Sequence, residues 1–150
     1  ALRETVEAFP DTFAVCPLHP NPAVRQAAGE ILGDCPRISV IDPPELTTFH
    51  HLLARAFLVL TDSGGIQEEA TALGIPTLVL RHSTERQEGL RTGVLRLAGT
   101  DRAGIVTAAR ELLQPDSGAY AAMHRPSGVF GDGQASRRIV RILEGWLERA

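Results

Sequence analysis

Five short apolar runs punctuate this chain roughly every twenty residues: FAVC (13–16), ISVI (38–41), FLVL (57–60), TLVL (77–80) and VLRL (94–97). They are apolar nearly throughout rather than on alternate residues, the pattern of a strand covered on both faces. Helix-like stretches lie between most of them. Residues 23–32 set Val24, Ala28, Ile31 and Leu32 on one face before Gly33, and residues 45–56 do the same with Leu46, Phe49, Leu52 and Leu53. Buried strands alternating with helices predict a parallel sheet with helices on both sides, a doubly wound α/β fold. Beyond the last strand, Asp101 is placed to cap a helix with Ile105, Val106, Ala109, Leu112 and Leu113 inward. A final helix from about Ser136 to Arg149 gathers Ile139, Leu143, Trp146 and Leu147 into one stripe. No linker or repeat divides the chain, so one unit over residues 1–150 is expected.

Composition narrows the partners. A formal net charge of -3 and a pI near 5.9 offer no basic field to nucleic acid. No apolar run approaches the ~18 residues of a membrane span, so neither nucleic acid nor membrane is expected as a partner. All fifteen basic residues are arginine, which removes Schiff-base lysines and the lysine of a Walker-type loop. Any anion must therefore be held by arginine, histidine or backbone amides. Cys16 and Cys35 form no closely spaced pair, so no zinc site, other metal site or disulfide framework is signalled, and no cofactor motif is seen. Free thiols and the lack of a basic-then-apolar leader predict a cytoplasmic location. The chain opens without methionine on Leu2, Val6 and Phe9, spaced like one helix face, so it is expected to begin inside a larger protein.

The chemistry is concentrated in LTDSGGIQEEA (60–70). Asp-Ser-Gly-Gly also surrounds the nucleophile of chymotrypsin-like proteases, but there a glycine two residues before the serine supplies an oxyanion-hole amide, and here Thr61 stands at that place. A G-x-S-x-G elbow fails at the same position. Instead FLVLTD runs into Ser-Gly-Gly and then into a helix with Ile66, Ala70 and Leu73 at i, i+4 and i+7, closed by Gly74-Ile75-Pro76. In this strand, turn and helix, Ser63 serves as cap, and Gly64 and Gly65 turn the chain while keeping side chains away from a ligand. The first amides of the helix then point past the carboxyl end of the sheet, a place suited to phosphate, although Gly-Gly turns also occur without a ligand.

Glu68 and Glu69 follow in the second turn, about 100° apart around the helix, so at most one can face the site. Either both lie on a solvated face, or one accepts the hydroxyls of a ribose as acidic residues do in dinucleotide-binding folds. The loop RHSTERQE (81–88) follows the next strand and brings Arg81, His82, Thr84 and Arg86 to the same edge. Arginines and hydroxyls there suit a phosphate, and a surface loop of scattered charge would look similar. The residues themselves point to a nucleotide or sugar-phosphate site and no further.

Taken together, HPNPAVR (19–25), IDP (41–43), LTDSGGIQEEATALGIPTLVLR (60–81), STERQEGLRTGVLRLAGTD (83–101) and GDGQASRRI (131–139) resemble the C-terminal half of the bacterial non-hydrolysing UDP-N-acetylglucosamine 2-epimerases. The resemblance implies a C-terminal UDP-binding Rossmann-like domain of a glycosyltransferase-B type architecture. UDP-sugar would lie in the cleft facing an N-terminal catalytic domain that is absent from this chain. It also implies the activity: an isomerase interconverting UDP-N-acetylglucosamine and UDP-N-acetylmannosamine for surface polysaccharides, by elimination of UDP and re-addition. By position, Ser63, Gly64 and Gly65 would bind the diphosphate and Glu69 rather than Glu68 the ribose. Arg86 would lie near phosphates and sugar, and Phe49 near uracil unless it is simply a core aromatic. His19 matches a histidine touching a second, activating UDP-N-acetylglucosamine, and a loop histidine closing a strand end would read alike.

The departures are as informative. Where the family pattern often has glutamine after Ile-Asp-Pro this chain has Pro44, and Asn-Pro-Tyr before Gly-Asp-Gly has become Gly128-Val129-Phe130. The catalytic carboxylates of the N-terminal domain and the histidine of a Thr-Gly-His-Arg motif have no counterpart here, so no catalytic residue is assigned and the isolated chain is expected to be inactive. That histidine motif follows a strand that is central in the 3-2-1-4-5-6 order, so a central strand should be missing. The open edges would then favour a homo-oligomer or a strand borrowed from the missing half. Two alternatives share the residues: a UDP-binding module without catalysis, and the nucleotide-binding domain of a glycosyltransferase of the same architecture, against which the Thr-Glu-Arg motif at 84–86 counts.

Overall fold

All five apolar runs form strands in the computed structural model, which describes residues 1–149. They are β1 (Ala14–Pro17), β2 (Ile38–Ile41), β3 (Val59–Thr61), β4 (Thr77–Val79) and β5 (Leu95–Leu97). The helices are α1 (Leu2–Ala8), α2 (Pro22–Leu32), α3 (Leu46–Leu53), α4 (Gly64–Leu73), α5 (Gln87–Thr92), α6 (Arg102–Leu113), α7 (Gly118–Met123) and α8 (Ala135–Leu147). Every strand pairing is parallel, with Ala14 opposite Ile38, Val59 opposite Thr77 and Thr77 opposite Leu95.

The strands make two sheets, β1-β2 and β3-β4-β5, and no strand pairing joins them among the described residues. Removing strand 1 from the order 3-2-1-4-5-6 leaves a pair and a triple, which is this arrangement. The fold is therefore the expected doubly wound one with its sheet interrupted at the centre. Around the triple, Leu78, Ala108, Ala109, Leu112 and Met123 form one core, while Leu53, Ala70 and Ile75 form another between α3 and α4. Beneath the pair sits a smaller cluster of Val6, Cys35 and Ile38. Helix α1 ties the two regions together: Val6 belongs to the small cluster, and Glu4 takes Arg102 of α6 at 2.8 Å. That hydrogen bond, with the charge of Arg110 beyond it, holds the Glu4 carboxyl below its usual range.

Local signals explain most boundaries. Asp101 Oδ1 accepts from the Gly104 amide at 2.8 Å, and Asn21 Oδ1 caps α2 through Ala23 at 2.9 Å. Helix α4 ends at Gly74, whose φ of 72° is a left-handed value that glycine adopts without strain. Two short helices, α5 and α7, lack the length for a readable period, although Ser117 does cap α7 through Tyr120 at 3.1 Å. The apolar stripe of α8 is not inward: none of its residues is buried, and Trp146 is 73 % exposed. Cys35 is buried and Cys16 half-buried, both free, with burial pushing the Cys16 thiol up.

Candidate functional site

The site is assembled where β3 and β4 end. The Ser63 amide donates to Thr61 Oγ1 at 3.1 Å, which fixes the step from strand into α4. Ser63 occupies the N-cap with extended backbone, but its hydroxyl makes no capping hydrogen bond within the described residues, so its cap role is positional. Neither Gly64 nor Gly65 has positive φ, so the turn does not use glycine's freedom as expected from the sequence. Their use is spatial. A Cβ at Gly64 would stand 3.1 Å from Arg86 Cζ and Nη2, whereas one at Gly65 would meet nothing within 4 Å. The missing side chain at Gly64 lets the Arg86 guanidinium lie against the first turn of α4, and Gly65 leaves the rest of that turn open. Unpaired amides at a ten-residue helix N-terminus beside a guanidinium favour an anion.

Arg86 is firmly placed. Its Nε donates to Glu68 Oε1 at 2.6 Å and its Nη1 to Glu85 Oε1 at 3.1 Å, while Arg81 reaches the other oxygen of Glu85 at 3.0 Å. Glu85 is held below the usual carboxylate range by its own backbone amide and then by Arg81 and Arg86. Glu68 is thus not a solvated bystander; it orients the arginine. The two acidic residues diverge as the helical spacing requires: Glu69 turns to α3, where its Oε2 lies 3.4 Å from His50 Nε2. Phe49, the preceding residue of α3, packs partly buried against Leu53, Ala70 and Ile75 at the same α3–α4 edge.

The remaining predicted residue is elsewhere. His19 is exposed beyond β1, in the other sheet, where its Nδ1 accepts from the Asn21 amide at 3.3 Å and so braces the entry to α2. A groove of about 340 Å³ in that sheet is lined by Leu18, Arg25, Gly29, Val40 and Asp42 and contains none of the predicted UDP residues. Among the described residues, no three His, Cys, Asp or Glu side chains gather as a metal site, and no helix is long and apolar enough to cross a membrane.

Gln67 escaped the sequence reading. The apolar positions Ile66, Ala70 and Leu73 suggested the inward face of α4; Ala70 is buried, but its buried neighbours are Gln67 and Thr71, and Leu73 is exposed. Gln67 is fully buried and its Oε1 accepts from the Thr84 hydroxyl at 2.7 Å. The only hint in the sequence was its place at i−3 from Ala70, where a Gln-Glu-Glu run looks solvated.

Comparison with known proteins agrees with this geometry. A family model described as UDP-N-acetylglucosamine 2-epimerase matches residues 1–144. The UDP-N-acetylglucosamine 2-epimerase of Bacillus subtilis is 49% identical over 144 residues, covering 95% of this chain and 37% of that protein. Its Escherichia coli K12 counterpart is 45% identical over 144 residues, covering 96% and 38%. The S. aureus MnaA–UDP co-structure superposes with a TM-score of 0.91 at 41% identity, covering 98% of this chain and 39% of that one. The UDP-GlcNAc 2-epimerase from Neisseria meningitidis bound to UDP-GlcNAc gives 0.91 at 35% identity, covering 96% and 38%. The chain spans less than half the length of each of these relatives. A parallel sheet interrupted at its centre, an open Ser-Gly-Gly helix start beneath an arginine and a family match over nearly all its residues together make this chain a member of the UDP-N-acetylglucosamine 2-epimerase family.

Proposed function

We propose that this chain supplies the UDP-binding half of a UDP-N-acetylglucosamine 2-epimerase and that the acid and base groups come from the remainder of a longer protein. The observation that carries this is the Arg86 guanidinium lying over Gly64 at the N-terminus of α4. In this reading the diphosphate takes the amides of Gly64 and Gly65 and the Ser63 hydroxyl, with Arg86 turning from its carboxylate partners toward it. Glu69, whose Oε2 has only the long contact to His50, accepts the ribose hydroxyls. The Phe49 edge receives uracil, and His19 contacts a second UDP-N-acetylglucosamine. Holding UDP at its phosphates anchors the leaving group of an elimination, in which the C2 proton goes to a base and the C1–oxygen bond to UDP breaks; the UDP oxygen then rebonds to C1 while an acid delivers a proton to the opposite face of C2, giving the C2 epimer. Binding the leaving group lowers no barrier without an acid and a base against the sugar. The free thiols Cys16 and Cys35 accord with a cytoplasmic setting, and the open sheet edges with a partner strand from a second copy or from the missing half.

The test joins calorimetry to an assay. UDP binds the chain, Arg86→Ala and Glu69→Ala each weaken binding by roughly tenfold, and incubation with UDP-N-acetylglucosamine yields no UDP-N-acetylmannosamine. Absence of UDP binding refutes the site, and formation of the epimer by this chain alone refutes the division of labour. UDP binding with no epimerase activity in a longer protein that includes a Thr-Gly-His-Arg segment favours a binding module without catalysis.

A further inference from the structure

Resting on the UDP-binding reading, we infer that Gln67 and Thr84 form a buried clasp that positions Arg86 for the ligand, making both of them positioning residues of the site. Thr84 is buried, and its hydroxyl has two jobs: it donates to Gln67 Oε1 at 2.7 Å and accepts from the Arg86 amide at 3.1 Å. The Thr84 carbonyl also accepts from the Gln87 side-chain amide, at the start of α5. The loop after β4 is thereby pinned to the interior of α4 at the residue two before Arg86, and Glu68, next to Gln67 on the same helix, receives the guanidinium. Backbone and side chain of Arg86 are thus both referenced to two adjacent residues of α4, just beyond the first-turn amides that would bind the anion.

Stability alone does not account for this arrangement. Gln67 Nε2 is buried without a hydrogen-bond partner among the described residues. A buried amide with half its capacity unused stabilises less than an apolar side chain of similar size, because the orphaned donor keeps its desolvation cost. Replacing both partners of a buried hydrogen bond by apolar isosteres is, by the same reasoning, close to neutral for folding. What the apolar pair cannot supply is the acceptor for the Arg86 amide.

The double variant Gln67→Met with Thr84→Val separates the two roles, with Thr84→Ser as the conservative control. Two readouts are taken on the whole chain: the Arg86 Nε–Hε resonance in nitrogen-15 spectra, identified by its loss in Arg86→Ala, and calorimetric affinity for UDP. Positioning predicts that the double variant melts within a few degrees of the parent and that its Arg86 resonance moves to the position of solvent-exposed arginines. UDP affinity then falls about tenfold, and Thr84→Ser restores both readouts. In an Arg86→Ala background the same pair of substitutions costs UDP affinity nothing further. An unmoved Arg86 resonance, or an equal loss of UDP affinity with and without Arg86, overturns the clasp. If the double variant is unfolded, the Thr84→Val single variant is read by the same resonance. If the parent chain binds no UDP, the functional reading falls, while the resonance still decides whether Gln67 and Thr84 hold Arg86.

Discussion

The two sheets are built from strands of similar composition, yet they stand in different surroundings. In the triple, β4 is buried along its whole length, and Leu78 and Val79 have no exposed surface. In the pair, Val15 is 50 % exposed, Phe13 beside it is 74 % exposed, and α2 contributes no buried residue at all. Apolar strands of the doubly wound kind expect cover on both faces. The triple has that cover from α4, α6 and α7, whereas the pair has α1 and a loosely seated α2. The region that carries the candidate anion site thus has its central strand covered, and the region that carries His19 leaves apolar side chains exposed.

Hydrogen exchange is the widest way to break this comparison. Amides of β4 and α6 should exchange more slowly than those of β1 and α2 by on the order of a hundredfold or more, and equal protection in both sheets would abolish the distinction. Core truncation gives the next largest contrast. Leu112→Ala, at a fully buried position, should cost about 2–5 kcal/mol in urea unfolding, while Ile31→Ala on the exposed face of α2 should stay within about 0.5 kcal/mol. Loss of the α6 cap in Asp101→Ala should fall between them, at about 1 kcal/mol. If the open pair drives self-association, Phe13→Ser with Val24→Ser should lower the mass seen by light scattering at fixed concentration, and an unchanged mass would place any contact elsewhere. The smallest effect concerns the tie between the halves. Because Arg102 lowers the Glu4 pKa, this contact adds stability above the unfolded carboxylate value and loses it as pH falls through the lower folded value. The acid sensitivity should shrink in Glu4→Gln, as followed by thermal melting at stepped pH.

Much of this was legible in the sequence because buried parallel strands carry little else than apolar side chains, so five runs and their spacing locate both sheets. The interruption between them was also readable, since removing the first strand from the doubly wound order leaves a pair followed along the chain by a triple. Legibility ended where an apolar face stays exposed or where polarity misleads. The apolar stripe of α8 reads as inward by periodicity alone, but Ile139, Leu143 and Trp146 have nothing over them here. In α4 the opposite error arises: Gln67 looks solvated beside two glutamates, yet it is inside because Thr84 satisfies its carbonyl oxygen. Glu68 and Glu69 could be told apart by helical geometry, but which of them holds Arg86 depended on the path of the loop after β4. Gly64 has a different use from the one expected, since its missing side chain makes room for Arg86 rather than bending the backbone.

The central claim, that the start of α4 beside Arg86 receives the phosphates of UDP, is tested most directly by titrating UDP into the nitrogen-15 labelled chain. The account predicts saturable shifts at the backbone amides of Gly64, Gly65 and Ile66 and at Arg86 Nε, absent in Arg86→Ala at the same concentrations. Shifts confined to the groove of the other sheet, or no saturable change at these amides, would contradict it.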